Sequence, residues 1–303
     1  MLFNKIDIFI TKGISIIILI CLLNIFKFYG KSLVWKKITT QFKLLANKYK
    51  YLIKAEKNIS TNSPIWVLWY QGINHAPPIV KSCINSIINN KANHTIHILT
   101  KYNLDKYITL PSIIENKFNK GYITITHLSD IIRMGILSKY GGYWIDSTFF
   151  ITKPISIINS TFYTLKLNHC FTYSHSFVKC IWSINFLAVP KNSFIAFYCY
   201  ISLIYYFTIY NKPISYFLLD YIFSIAYYDI SEFRTKIEEL PFIKCDIFSL
   251  FESLNLNYDS SLFHCPFNKL NKRVKQNILH NQTFTNYRYI IQSNNMKNME
   301  NFE

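Results

Sequence analysis

Between residues 63 and 154, the hydrophobic residues alternate between short strand-like runs and the spacing of a helix. Short runs rich in β-branched and aromatic residues are typical of strands, whereas apolar residues three and four positions apart indicate one face of a helix. The resulting order, β-α-β-α-β-α-β, predicts an α/β sheet built to bind a nucleotide. The predicted strands are Ile65–Trp69, His94–Thr100, Tyr122–Thr126 and Tyr143–Ile151, and the predicted helices are 77–89, 111–119 and 129–140.

The last helix and strand of this series are joined by a tight turn, and the rest of the chain is organised around them. Ser129 is expected to cap the N-terminus of the helix, which places Asp130 in the first turn, where the helix dipole favours a negative charge. Arg133 is three residues further on and shares the face of Asp130. Gly141 and Gly142 are expected to end the helix, because glycine adopts a left-handed conformation at little cost.

Asp146 stands in the middle of the apolar strand that follows. An unpaired carboxylate there would cost several kcal/mol, so Asp146 must have a partner or open onto a cleft. Taken singly, Asp130 and Arg133 form a surface ion pair and Asp146 caps a turn. Because all three residues are expected near one edge of the sheet, where α/β proteins bind ligands, we favour a functional site.

The C-terminal half carries weaker signals. Trp182–Val189 is predicted to be a strand, and the uncharged segment Phe194–Tyr210, with tyrosines along its length, suits a buried helix better than a membrane span. A further helix, Pro213–Tyr228, carries Asp220 at mid-length, which a membrane span would disfavour. Asp220 is equally well explained as an acceptor-side group, a donor-side group or a structural acid. The Asn-rich tail from Ser293 is expected to be disordered.

The N-terminal segment combines a strongly apolar run, Ile14–Phe26, with nine lysines and one acid between Lys27 and Lys57. The run is shorter than the roughly 20 residues of a transmembrane helix, and a buried helix is the alternative. Lysines attract anionic lipid by about 1 kcal/mol each, although a solvated basic helix would look the same. We expect attachment to the cytoplasmic face of the inner membrane, either peripheral or through one short anchor.

Charge, motifs and cysteine content limit the partners and the compartment expected for this protein. The 303 residues include 33 Lys and Arg against 16 Asp and Glu, a formal charge of +17, which suits nucleic acid, anionic membranes or phosphorylated substrates. Zinc-finger, RNP and helix-turn-helix signatures are absent from the sequence, as are P-loop and dinucleotide motifs, so nucleic acid is not an expected partner. The odd, dispersed set of cysteines favours reduced thiols in a cytosolic compartment over a disulfide framework: Cys21, Cys83, Cys170, Cys180, Cys199, Cys245 and Cys265.

The segment SDIIRMGILSKYGGYWIDST resembles the core motif of the family 32 glycosyltransferases, S-D-x-x-R, G-G-x-Y/W and D-x-D. It is closer to the capsular polysaccharide synthesis family, in which the last part is D-A/S-T, and Ile65–Ser86 and Tyr216–Tyr221 resemble that family too. The resemblance covers Ser63 to Lys272. It implies a GT-A-like nucleotide-sugar-binding fold with a mixed central sheet and an added helical C-terminal part. It also implies sugar transfer from a nucleoside diphosphate to a capsular or other surface polysaccharide, or to its lipid-linked precursor, with retention at the anomeric carbon.

The resemblance also implies residue roles. Trp69 would stack on the uracil of the donor, although a core tryptophan is the usual role of such a residue. Asp130 and Arg133 would hold sugar hydroxyls, and Asp146 would contact the ribose and sugar or a Mn²⁺ or Mg²⁺ ion. Because Thr148 replaces the second acid of D-x-D, the metal is weakly supported. The remaining donor-side expectations are Gln71, Gly72, Ser129, Gly141, Gly142, Thr148, Lys269 and Lys272, the two lysines being equally well explained as solvated surface residues.

These observations divide the chain into a membrane-associated segment (1–30), a basic helical linker (31–62), a nucleotide-sugar-binding half (63–165), an acceptor-side helical half (166–292) and a tail (293–303). Two other functions fit parts of the pattern. One is a non-catalytic scaffold at the membrane surface, and the other is a nucleic-acid binder that uses the positive charge.

Overall fold

The computed structural model describes residues 33–155, 160–167, 181–279 and 283–293. The apolar run Ile14–Phe26 and nearly all of the predicted tail lie outside the described residues. The strands are β1 (Ile65–Leu68), β2 (Ile96–Leu99), β3 (Gly142–Ile145), β4 (Phe149–Ile151), β5 (Tyr163–Thr164), β6 (Lys166–Leu167), β7 (Phe186–Val189), β8 (Phe242–Ile243) and β9 (Phe267–Lys269). The helices are α1 (33–49), α2 (Leu52–Ala55), α3 (Pro78–Asn89), α4 (Ser112–Asn119), α5 (Ile125–Tyr140), α6 (Phe194–Ile209), α7 (Leu218–Asp229), α8 (Ser231–Glu238), α9 (Ser249–Glu252), α10 (Gln276–Leu279) and α11 (Asn286–Ser293), with short 3₁₀ turns at Ile73–His75, Leu104–Lys106 and Ser260–His264.

The central sheet is mixed, and its five strands lie in the order β2-β1-β3-β7-β5. β1 runs parallel to β2 and β3, whereas β7 runs antiparallel to β3 and β5. The expected α/β fold with a mixed central sheet and a helical C-terminal part is therefore confirmed. The register pairs Trp66 with Trp144, so β1 and β3 end at the same edge of the sheet.

Successive residues of the central strands enter two different cores, because strand side chains alternate between faces. Trp66 and Trp144 lie in a core formed with α1, α5, α6 and α7. Val67 and Ile145 lie in a second core formed with α3, β4 and α9. Covering on both faces explains why β1 and β3 are apolar at every position, a pattern typical of buried parallel strands.

Helix α5 begins earlier than the sequence predicted. Thr124 is its N-cap, and the Thr124 hydroxyl accepts a hydrogen bond from the His127 amide at 3.4 Å. Ser129 as the cap and Asp130 in the first turn are therefore wrong, since both lie inside the helix. The predicted strand Tyr122–Thr126 is also wrong, because Thr124 caps α5 and the helix begins at Ile125. Ile123 and Leu128 are both buried in the core that α5 shares with α6.

The predicted strand Tyr143–Ile151 is two strands, β3 and β4, separated by Asp146, Ser147 and Thr148. The Phe149 amide donates to the Asp146 carbonyl at 2.9 Å and closes this turn. The turn redirects the chain, because β4 leaves the central sheet and pairs antiparallel with β9. Asp146 therefore lies at the end of a strand and not inside one.

Helix α1 is packed on the domain. Ile38, Phe42 and Ala46, four residues apart, are fully buried, while the lysines of this helix are exposed. The Thr39 and Tyr221 hydroxyls are hydrogen-bonded at 2.6 Å, which joins α1 to α7. This part of the predicted linker is thus a helix of the folded domain.

Two expectations for the C-terminal half need adjustment. The predicted helix Pro213–Tyr228 begins only at Leu218, so Asp220 lies in its first turn. Cys245 and Cys265 form a disulfide, so the expectation of reduced thiols is wrong for this pair, which the fold brings together across 20 residues. Helix α6 agrees with the prediction of a buried helix, and no helix within the described ranges has the length and hydrophobicity to cross a bilayer.

Candidate active site

Asp146 is the centre of a charged cluster at the edge where β1 and β3 end. Its Oδ1 accepts hydrogen bonds from Arg133 Nη2 at 3.2 Å and from Trp144 Nε1 at 3.0 Å. Its Oδ2 accepts from Lys269 Nζ at 2.8 Å, and the same ammonium donates to Thr148 Oγ1 at 2.7 Å. The carboxylate thus joins α5 on one face of the sheet to β9 on the other.

The charge state of Asp146 follows from these contacts. Burial opposes ionisation, but the nearby Lys269 ammonium and Arg133 guanidinium, with hydrogen bonds from Lys269 and Trp144, outweigh it and lower the pKa of Asp146. The side chain is 22% exposed. Asp146 is therefore a stable anion that a ligand can reach from the edge of the sheet.

Arg133 is shared by more than one acid. Its Nη1 lies 3.3 Å from Asp130 Oδ1, and both side chains are about 5% exposed. Burial raises the pKa of Asp130 to about 7 against the attraction of Arg133, and the charge of Asp220 raises it further. Burial likewise raises the pKa of Asp220 to about 6, opposed by a hydrogen bond from Trp182 Nε1 at 3.2 Å and by Arg133. Asp220 on α7 therefore joins the predicted group of Asp130, Arg133 and Asp146.

Several donors around this cluster have no acceptor among the described residues. Arg133 Nη1 is within ion-pair distance of Asp130 but not in hydrogen-bond geometry, and Arg133 Nε and Trp69 Nε1 are also buried without an acceptor. A buried donor without a partner costs about 1–3 kcal/mol. Such buried donors suit a ligand rich in oxygen atoms, which accept hydrogen bonds.

Trp69 follows β1 directly, at the same edge of the sheet as Asp146. The Lys272 ammonium lies 5.9 Å from the centre of its ring, which places a cation beside an aromatic surface. Gln71 and Gly72 continue the same loop, where Gln71 is exposed and Gly72 has φ of 94°. The structure thus places these four predicted donor-side residues at the edge of the sheet that carries Asp146.

Gly141 and Gly142 lie at the start of β3, the opposite end of the strand from Asp146. Gly141 precedes the strand and Gly142 is its first residue. A Cβ atom on Gly141 would come within 2.3 Å of the Lys191 amide nitrogen, and one on Gly142 within 2.2 Å of the Pro64 carbonyl oxygen. Both residues also have positive φ, so glycine is required here for backbone crowding. The structure does not bring these two glycines to Asp146, and Ser129 lies inside α5 next to Asp130.

Comparison with known proteins identifies the family of the chain. The profile of a protein family described as "Capsular polysaccharide synthesis protein" matches residues 16–288, most of the chain. The chain belongs to this family. The resemblance noted in the sequence is therefore confirmed at the level of the capsular polysaccharide synthesis family, whereas the relation to family 32 transferases stays a prediction.

More distant similarities are partial. "O-glycosyltransferase braB" of Annulohypoxylon truncatum is 26% identical over 115 residues, which are 35% of this chain and 27% of that protein. The match thus spans about a quarter of the relative's length. The solved structure titled "PaToxG Glycosyltransferase" has a TM-score of 0.41 at 15% identity and covers 71% of this chain and 83% of its own, a similarity on which no conclusion rests.

The structure of this family member adds two tryptophans that sequence reasoning missed. Trp144 donates to Asp146 and its ring centre lies 5.2 Å from the Arg133 guanidinium carbon, while Trp182 donates to Asp220. Trp144 had a signal in the sequence, because a residue two positions before Asp146 was expected on the same face of a strand. Trp182 had none, since it is 38 residues from its partner.

The expected metal site at Asp146 fits the side chains poorly. Both carboxylate oxygens of Asp146 accept from cations, and the hydroxyl of Thr148 accepts from Lys269. In the described part of the chain, no three His, Cys, Asp or Glu side chains are grouped so that they could hold a metal ion. A divalent ion at Asp146 would have to displace the Lys269 ammonium.

Proposed function

We propose that this protein is a glycosyltransferase that moves a sugar from a nucleoside diphosphate onto a capsular or other surface polysaccharide, or onto its lipid-linked precursor. The observation that carries the proposal is Asp146, an ionised carboxylate held between Arg133 and Lys269 at the end of β3. Membership of the capsular polysaccharide synthesis family supports the same class of acceptor.

The neighbouring groups suit the parts of a nucleotide sugar. The Trp69 ring offers a surface for a base, and stacking of this kind is worth about 1–3 kcal/mol. The unpartnered donors of Arg133 suit sugar hydroxyls, which accept hydrogen bonds, and Asp146 suits hydroxyls of the sugar and ribose, which donate them. Lys269 contacts Asp146 and Lys272 lies beside the Trp69 ring, so both ammonium groups suit the negative charge of a diphosphate.

In the proposed reaction the bond between the anomeric carbon and the diphosphate oxygen breaks, and its electron pair stays with the diphosphate. An acceptor hydroxyl oxygen forms the new bond to the same carbon, and its proton passes to the departing diphosphate. Positive side chains beside the diphosphate stabilise the charge that develops there, and such preorganised groups contribute a factor of about 10²–10³ each. We propose retention at the anomeric carbon on the strength of the resemblance, without assigning a nucleophile.

The test is hydrolysis and transfer by the full chain with a panel of nucleoside-diphosphate sugars, compared with Asp146→Asn. We expect one donor to be consumed by the wild type and turnover to fall by about 10²-fold or more in the variant, which keeps the size and one acceptor of the side chain. Circular dichroism checks that the variant is folded. If no donor is consumed and none binds, the scaffold function is favoured instead.

We also propose that the protein acts at an anionic membrane, at the cytoplasmic face of the inner membrane. Helix α1 supports this, since its buried face packs on the domain while Lys36, Lys37, Lys43 and Lys48 are exposed. Lysines close to an anionic surface contribute about 1 kcal/mol each. A glycan acceptor on a lipid carrier would be presented at the same surface.

A further inference from the structure

Side chains of the turn between β3 and β4 bind the ammonium group of Lys269. Asp146 Oδ2 and Thr148 Oγ1 are both acceptors of the Lys269 ammonium, at 2.8 and 2.7 Å. These are the first and third residues of the D-S-T sequence, the same two positions that the resemblance assigns to metal ligands in a D-x-D sequence. The lysine nitrogen therefore lies between the two side chains that would face a divalent ion.

The position of Lys269 is fixed by the backbone. Lys269 is paired with Phe149 between β9 and β4, its amide donates to the Ile247 carbonyl at 2.7 Å, and the next amide, of Leu270, donates to the Thr148 carbonyl at 2.9 Å. The preceding residue, Asn268, is fully buried, and its side-chain Nδ2 donates to the Phe150 carbonyl at 3.3 Å. Lys269 is thus a residue of a strand next to the turn, with a side chain only 16% exposed.

The charge balance at Asp146 also favours a monovalent cation. One carboxylate already faces the Arg133 guanidinium and the Lys269 ammonium. A divalent ion added beside them would meet two like charges, whereas the carboxylate has no further oxygen to offer. The hydroxyl of Thr148 is a weaker ligand for such an ion than the carboxylate it replaces.

From this geometry we propose that the Lys269 ammonium replaces the divalent cation opposite the donor's diphosphate, so that sugar transfer by this protein does not require a metal ion. The inference rests on the proposed function. An ammonium has three N–H groups, and Asp146 and Thr148 accept two of them, which leaves one for a diphosphate oxygen. When the anomeric carbon–oxygen bond breaks, the Lys269 ammonium stabilises the negative charge left on the diphosphate.

The first experiment uses the unaltered full chain. Binding of UDP, GDP and dTDP is measured by calorimetry in EDTA and again with Mn²⁺, together with turnover of the matching nucleotide sugar. We expect the dissociation constant and the turnover to agree within about 2-fold between the two conditions. Turnover that is lost in EDTA and restored by Mn²⁺ would overturn the metal-independent role of Lys269 and leave the proposed function standing. Absence of binding and turnover in both conditions would overturn both.

The second experiment exchanges the cation. Lys269→Met removes the charge but keeps much of the apolar stem, and we expect turnover to fall by about 10²-fold or more. Adding Thr148→Asp to this variant places two carboxylates around the vacated position, so the double variant is expected to bind Mn²⁺ and to regain activity only with it. Lys120→Ala, which removes an exposed lysine at the end of α4, is the matched control and should leave turnover unchanged. Full activity of Lys269→Met in EDTA would refute the proposal.

Discussion

Arg133 and Asp146 are joined by a hydrogen bond of 3.2 Å from Nη2 to Oδ1, across 13 residues of sequence and between a helix and the turn after a strand. The other terminal nitrogen of the same guanidinium faces Asp130 at 3.3 Å. One planar group therefore holds two acids at a fixed angle, and a compact ammonium cannot do the same.

We predict that Arg133→Lys lowers the rate of sugar transfer by about 10²-fold, because lysine supplies a point charge without the two-pronged geometry. The measurement is kcat/KM with the preferred donor. Arg234→Lys is the control, since Arg234 on α8 donates to the backbone carbonyls of Tyr227 and Tyr228 in α7, at 3.2 and 2.9 Å. Equal activity of Arg133→Lys and wild type would mean that Arg133 only balances the charge of Asp130.

Trp69→Ala should weaken binding of the nucleoside diphosphate by about 1–3 kcal/mol if the ring stacks on the base. Trp69→Phe keeps an aromatic surface and should retain most of the affinity. Calorimetry gives the dissociation constants, and thermal unfolding gives the stability of each variant. Unchanged affinity in Trp69→Ala, with a lower melting temperature, would show that the residue serves the core alone.

Asp220 predicts a pH dependence of stability. Its pKa is about 6 in the folded protein and about 3.9 in an unfolded chain, because burial disfavours the charged form. The folded state therefore holds the proton more tightly, so the contribution of Asp220 is fully present below pH 4 and is lost as the pH rises through 6. The loss amounts to roughly 3 kcal/mol.

Asp220→Asn cannot ionise but still accepts from Trp182. We expect its free energy of unfolding, measured by urea titration, to exceed that of the wild type at pH 7.5 by more than it does at pH 4. A difference between the two proteins that is the same at both pH values would show that Asp220 titrates normally.

Two truncations separate membrane binding from folding. Deletion of residues 1–32 removes the apolar run but leaves α1 and its exposed lysines in place, so the domain should fold and bind anionic vesicles in a flotation assay more weakly, without losing all binding. Deletion of residues 1–57 also removes the buried side chains Ile38, Phe42 and Ala46, and should lower the melting temperature strongly. If the shorter deletion still floats fully with the vesicles, α1 or another surface of the domain carries the attachment.

The sequence predicted those parts of the site that depend on local spacing. Asp130 and Arg133 are three residues apart on a helix, and Asp146 follows the next strand, so their meeting could be inferred from helix period and sheet geometry. Ser129 was predicted to cap α5, but the sequence offers two residues that could do so, and Thr124 is the one that caps the helix. The earlier start lets Leu128 join the buried face of α5. Asp146 and Thr148 were expected to share a strand face, and they meet at Lys269 through a turn instead.

Contacts between residues far apart in the sequence could not be predicted from local sequence patterns. Lys269 is 123 residues from Asp146, and the sequence suggested it as a cation for the diphosphate without indicating Asp146 as its partner. The glycines at 141 and 142 were expected to end the helix, and only the resemblance assigned them to the donor. In the fold they approach Pro190–Lys191 and Pro64, and no local signal distinguishes a backbone neighbour from a bound molecule.

The pairing of β4 with β9 also sets the order in which the protein can become active. During synthesis Asp130, Arg133 and Asp146 leave the ribosome more than 120 residues before Lys269, so the ammonium is the last member of the cluster to be added. The disulfide between Cys245 and Cys265 closes just before β9 and holds that late segment near its place. A chain stopped at residue 265 would therefore carry Asp130, Arg133 and Asp146 and still lack Lys269, the residue that completes the cluster.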